Sequence, residues 1–143
     1  MRHIIKIAAL ALLPLVLGGH ARAAENEEKV ITLSCDGTLT RTYYGANKPA
    51  DREPFQTTTL IVNLDEQTVF FLGYVVPIYD VDEASINFGT RQIAVDYGFS
   101  VAITGILDRL TGRLDATTVM SDPTNPDDPH IATLHYDVGC KAT

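Results

Sequence analysis

The stretch Thr32-Leu33-Ser34-Cys35-Asp36-Gly37-Thr38-Leu39 decides how the chain is read. Ile31, Leu33, Cys35, Gly37 and Leu39 fall in one phase, and Thr32, Ser34, Asp36 and Thr38 in the other. A period of two is the mark of a strand with one face buried. Near the other end, Tyr136-Asp137-Val138-Gly139-Cys140-Lys141 repeats the pattern, with Leu134, Tyr136, Val138 and Cys140 in phase. These segments hold the only 2 cysteines in the chain, each on the apolar side of its strand. If the two are bridged, the first and last strands are tied together and most of the chain lies inside the loop.

Working outward, the first residues read as an export signal. Arg2, His3 and Lys6 make a basic start, and Ala21-Arg22-Ala23 fits a small-x-small cleavage rule. The apolar run from Ile7 to Leu17 is about eleven residues, too short to span a bilayer. Residues 1–23 are therefore expected to be a signal peptide and residues 24–143 a single all-β domain in the periplasm or outside the cell. A domain of about 120 residues can bury roughly two-thirds of its unfolded surface. Export places the cysteines where a disulfide persists. Free thiols or a metal pair are the other options, although zinc usually asks for four ligands.

The chain carries 18 acidic and 11 basic residues, a formal net charge of −7. Arg2, Lys6 and Arg22 belong to the signal, so the domain itself is more acidic, at about −10. Such a surface keeps a protein soluble and repels phosphate backbones and anionic lipid. Nucleic acid is not an expected partner, and no transmembrane span is expected in the mature protein. A cationic partner is the sharper reading of the charge.

Between the end strands the punctuation is frequent. Gly45 to Pro54 is polar, holds two prolines and reads as a surface loop. Strands are expected at about 57–64 and 68–78, joined by Asp65-Glu66-Gln67. The second of these is apolar in both phases, so the face carrying Phe70, Leu72, Tyr74 and Val76 is a candidate binding surface. Pro77 near its end suggests an edge or a bulge. Asp80, Asp82 and Glu83 mark a turn. Further strands are expected at 85–88, 93–97, 99–107, 114–120 and 131–140. Asp108-Arg109-Leu110-Thr111-Gly112 reads as a hairpin connection, and Asp122 to Pro129, with three prolines, as a loop. Eight short strands and no helical stripe after the signal predict a small antiparallel barrel or a two-sheet sandwich.

Little in the sequence points to catalysis. No hydrolase elbow, zinc helix, phosphate loop or dinucleotide fingerprint occurs, and nothing calls for a cofactor. His135 and Asp137 share a strand face, and Ser34 could lie near them if the end strands pair, but a polar outer face explains all three. The groups Asp80, Asp82, Glu83 and Asp122, Asn125, Asp127, Asp128 lack a calcium-loop pattern and read as turns. The expectation is a non-enzymatic binding module for a small apolar molecule or an envelope protein, without a metal. An acidic inhibitor of a cationic partner such as lysozyme is the competing reading.

The segments Leu33-Ser34-Cys35-Asp36-Gly37-Thr38, Gly105 to Gly112 and Tyr136 to Lys141 resemble a group of small exported proteins of α-proteobacteria. Their pattern is L-x-C-x-G-T, then G-x-I-D-R-x-T-G, then Y-x-x-x-C-K, with Leu107 here in place of the isoleucine. The resemblance implies an exported, disulfide-tied β-domain and no particular activity. The chain is also similar, more weakly, to periplasmic lysozyme inhibitors, which are small, β-rich and disulfide-tied. It lacks the tryptophan and the Ser-Gly-x-x-Tyr loop expected there.

Overall fold

A computed structural model describes residues 29–45, 47–94, 98–125, 127 and 130–143. Eight strands follow one another: β1 (Val30–Tyr43), β2 (Asp51–Asn63), β3 (Thr68–Phe71), β4 (Tyr74–Val81), β5 (Ser85–Ala94), β6 (Ser100–Asp108), β7 (Arg113–Ser121) and β8 (His130–Ala142). Each pairs antiparallel with the next, and β8 returns to β1, which closes a barrel. Closure leaves the end strands no free edge to recruit another chain. Among the described residues no helix is long and apolar enough to cross a membrane. The proposed signal peptide lies outside the described residues.

The end strands meet as their alternation requires. Cys35 stands directly opposite Cys140 in the β1–β8 ladder, and the two form a disulfide with a Cα–Cα distance of 4.1 Å. Cys35 is fully buried and Cys140 nearly so. The bridge is thus part of the interior, alongside Leu60, Val62, Leu114 and Val138.

The alternation sorts every wall strand. Leu114, Ala116 and Thr118 of β7 face inward, and so do Val101, Ile103 and Leu107 of β6. The ladders shift register at four places, two of which bear on the upper interior. In β2, Thr58 pairs with Cys35 but Phe55 with Gly37, so one extra residue lies between them. A bulge flips the phase beyond it. Leu60 and Val62 point inward below it, whereas Phe55 and Glu53 share that direction above it, opposite Gly37 and Leu39. In β5 the same device lies between Thr90 and Ile93.

Gly105 shows how tightly the interior is filled. A Cβ placed there would collide with the ring of Phe88, its cross-strand neighbour. Gly105→Ala is expected to destabilise the barrel by about 1–3 kcal/mol through overpacking. Urea unfolding monitored by circular dichroism checks this.

The sequence reading and the structure differ at three places. The expected strand 68–78 is two strands, because Leu72 and Gly73 both have positive φ and reverse the chain. Such a two-residue turn matches the twist of a hairpin. Segments 85–88 and 93–97 are not separate strands: β5 runs unbroken to Ala94 through Gly89, and residues 95–97 lie outside the described set. Asp51 to Pro54 belongs to β2 and not to a loop, and Pro54 pairs with Thr38. The expected total of eight strands therefore holds through one division and one fusion. The choice between barrel and sandwich falls to the barrel.

The turns at one end are capped by carboxylates. Asp108 Oδ1 accepts hydrogen bonds from the amides of Leu110 and Thr111, and Asp82 Oδ1 from those of Ala84 and Ser85. These bonds hold both carboxyls below their ordinary value of 3.8. Asp122 is lowered likewise, first by the Thr124 hydroxyl and then by the Thr124 amide. A carboxylate with a depressed folded pKa stabilises the fold above its unfolded pKa and ceases to do so as pH falls through the folded value. Stability is therefore expected to decline below about pH 4. Urea midpoints between pH 2 and 6 check this, and Asp108→Asn should flatten part of the decline.

Candidate functional site

The two ends of the barrel differ. At the lower end lie the tight turns 64–67, 82–84 and 109–112. At the upper end lie the longer connections that follow β1, β5 and β7. The β3–β4 hairpin does not reach the upper end. β3 pairs with β2 only from Ile61 to Asn63, and β4 with β5 only from Ile78 to Val81. Among the described residues, Asp51 to Leu60 of β2 therefore has β1 on one side and no strand on the other. The barrel wall is notched there, with Leu72 and Gly73 at the lip.

Rows of cross-strand partners show what faces the upper interior. One row runs Glu53, Leu39, Tyr136, Ala116, Gly105 and Phe88. The next row up runs Asp51, Arg41, Leu134, Thr118, Ile103 and Thr90. Rings form the floor. Tyr136 meets Phe55 and Phe71 edge to face, at centroid separations of 5.1 and 5.5 Å, and Phe71 meets Phe88 at 6.3 Å. Above that floor the inward residues Ile93, Met120 and Leu134 are only partly buried, whereas Leu60, Val62 and Phe71 are at 0% exposure; Ile103, level with Leu134, is also fully buried. The interior is thus less completely covered at Ile93, Met120 and Leu134, while Val101, Ile103 and Ala132 at the same end stay buried.

Polar groups converge on this apolar cup. Arg41 continues the inward phase of Leu39, and its Nη2 donates to Oε1 of Glu53 at 2.7 Å. Burial pushes the Tyr136 phenol above its ordinary value of 10.0, and the nearby Thr118 hydroxyl and Arg41 charge draw it partly back. Thr118 is 6% exposed, and its buried Oγ1 makes no hydrogen bond of good geometry, with the Tyr136 phenol as its polar neighbour. A hydroxyl left unsatisfied in an apolar interior costs about 1–3 kcal/mol.

Concavities also lie elsewhere among the described residues. The lower mouth holds about 350 Å³, lined by Ile31, Leu33, Leu107, Arg109 and Cys140 among others. Its polar groups already serve the hairpins: Asp108 caps its own turn and Arg109 Nη1 donates to the Asp82 carbonyl. An outer groove of about 490 Å³ lies over Gly89, between Tyr79, Arg91, Ala102 and Thr104. It is a shallow feature of the convex wall. Neither presents an unsatisfied buried polar group.

The candidate surface Phe70, Leu72, Tyr74 and Val76 does not form one face. The Leu72-Gly73 turn puts Phe70 on the outer wall, opposite Val75, and Val76 fully inside, opposite Val69. Leu72 and Tyr74 sit at the hairpin tip and pack against the core, bordering the notch. The outward apolar residues of this hairpin are instead Phe70, Val75 and Tyr79.

The polar sets are dispersed or engaged. His135 Nε2 meets Asp115 at 3.2 Å, while Asp137 binds Arg113 through both oxygens. Ser34 pairs with Lys141, far along the ladder from the Thr40–His135 pair. His130 meets Ser121 Oγ at 3.2 Å. Asp80 accepts from Asn87, and Asp82 and Asp122 cap turns. Among the described residues no cluster of metal-binding side chains forms, and Asp128 lies outside them. Much of the acidic surface considered for a cationic partner is thus committed within the chain. Arg41, Glu53 and Thr118 were not singled out from the sequence. The signal for two of them was present: an arginine and a threonine in the inward phase of their strands.

No protein-family model, no curated protein and no solved structure matches the chain.

Proposed function

We propose that the protein is a non-enzymatic binding module, working in an exported compartment, that holds a small and mainly apolar molecule in the upper end of its barrel. The observation that carries this reading is Thr118, an inward buried hydroxyl with no hydrogen bond of good geometry, grouped with an arginine and a phenol. Interiors rarely tolerate such a group, and a ligand's polar end would satisfy it. Ligand pockets combine apolar walls with a few convergent polar groups. An eight-stranded barrel is about the size at which side chains fill the interior or leave room for one small ligand. The notch beside the β3–β4 hairpin supplies a way in. The buried disulfide and the basic, apolar start of the chain support export.

The test is a titration of ¹⁵N-labelled protein with decanol and with decanoate. Amide shifts are expected around Ile103, Thr118 and Leu134. Absence of shifts with both compounds, or shifts confined to the outer residues Phe70 and Val75, contradicts the reading.

A further inference from the structure

We propose that the molecule held in the upper barrel ends in a carboxylate, gripped by Arg41, Thr118 and the Tyr136 hydroxyl, with its apolar body against Leu134, Ile103 and Met120. This rests on the reading of the barrel interior as the ligand site and adds the chemistry of the head group.

Donors outnumber free acceptors around the cup. A guanidinium only donates, and Glu53 engages Nη2 alone, which leaves the other N–H groups of Arg41 for a second acceptor. The Tyr136 phenol, kept protonated by burial, also donates. Thr118 Oγ1 makes no hydrogen bond of good geometry and lies beside the Tyr136 phenol, so both hydroxyls can turn toward one acceptor. A carboxylate accepts from several donors at once and matches an arginine in a planar, two-bond contact. An ammonium head finds two acidic groups here, Glu53, which Arg41 already holds at 2.7 Å, and Asp51, exposed at the rim opposite Arg41. A phosphate head, with its higher charge, meets Glu53 and an acidic chain of net charge −7.

Geometry places these groups on one side of the cup. Arg41 stands opposite Leu134, and Leu134 opposite Thr118, so arginine and hydroxyl flank a single leucine in adjacent strands. Tyr136 is the next inward residue below Leu134 on β8. A head group above Leu134 reaches all three. The apolar body then lies toward the partly buried side chains at the barrel mouth.

Calorimetric titration with decanoate, decanol and decyltrimethylammonium tests the inference on the wild-type chain. Decanoate is expected to bind about tenfold tighter than decanol, with the ammonium compound weakest. In Arg41→Gln the preference for decanoate over decanol should fall to near unity, whereas Arg41→Lys should keep part of it. Thr118→Val should weaken decanoate about tenfold in a folded protein. Equal binding of decanol and decanoate by the wild type overturns the carboxylate inference and leaves the binding module standing. A preference that survives Arg41→Gln also overturns it. Failure of all three compounds to bind overturns both.

Discussion

Replacing Cys35 and Cys140 together by alanine is expected to lower the unfolding free energy by about 4–5 kcal/mol. The two residues are 105 positions apart, so the bridge removes loop-closure entropy from nearly the whole unfolded domain. That saving grows with the logarithm of loop length and approaches its upper range here. Both residues are buried, and alanine fills most of the space without introducing a buried polar group. The native ladder survives on paper: β1 and β8 still pair from Leu33–Ala142 to Tyr43–Ala132. The variant should therefore fold to the same barrel in the cold and unfold at much lower urea. A small domain holds only about 5–15 kcal/mol in total, so the loss is a large share of it. Urea denaturation of the oxidised wild type against the double variant measures the effect. A difference under about 1 kcal/mol would mean that the bridge does not constrain the unfolded chain as argued.

The second large effect is expected at Phe71. Its side chain is fully buried and meets Phe88 and Tyr136 edge to face, so it joins β3 to the opposite wall. Phe71→Ala removes that packing and leaves a cavity bounded by a well-filled core, at a cost of about 3–5 kcal/mol. The adjacent Phe70 supplies the control. It is 39% exposed on the outer wall, and Phe70→Ala should cost less than about 1 kcal/mol. The contrast tests register as well as packing, because a one-residue slip of β3 would exchange the two roles. Chemical denaturation of both variants decides it, and equal losses would contradict the assigned register.

These expectations also indicate what was legible without coordinates. The end strands were plain, since Cys35 and Cys140 sit in clean alternation and only one bridge is available. The Asp108 to Gly112 hairpin was plain because Asp and Gly there do what the turn demands: Asp108 caps two amides and Gly112 has φ of 73°. The β3–β4 turn was hidden. A leucine at φ 54° is an uncommon choice, so the apolar run read as one strand. Asp51 to Pro54 was hidden by charge and proline, yet that part of β2 lies beside the notch, where a proline costs no ladder bond.

The site was half legible for the same reasons. Arg41 extends the series Ile31, Leu33, Cys35, Gly37, Leu39, and a charge in an inward phase is itself a signal. Thr118 stands in phase with Leu114, Ala116 and Met120. Glu53 could not be found by counting. The bulge between Thr58 and Phe55 puts it out of step with Leu60 and Val62, and bulges leave no fixed mark in sequence. That Arg41, Thr118 and Tyr136 meet depends on three strands aligning, which only the closed register supplies.

Isotope-filtered nuclear Overhauser spectra of labelled protein with unlabelled decanoate test the binding account most directly. Contacts are expected from the methylene next to the carboxylate to the Thr118 methyl and the Tyr136 ring, with the far end of the chain near Met120. Contacts confined to Phe70, Val75 and Tyr79 on the outer wall, or none at saturating decanoate, would contradict it.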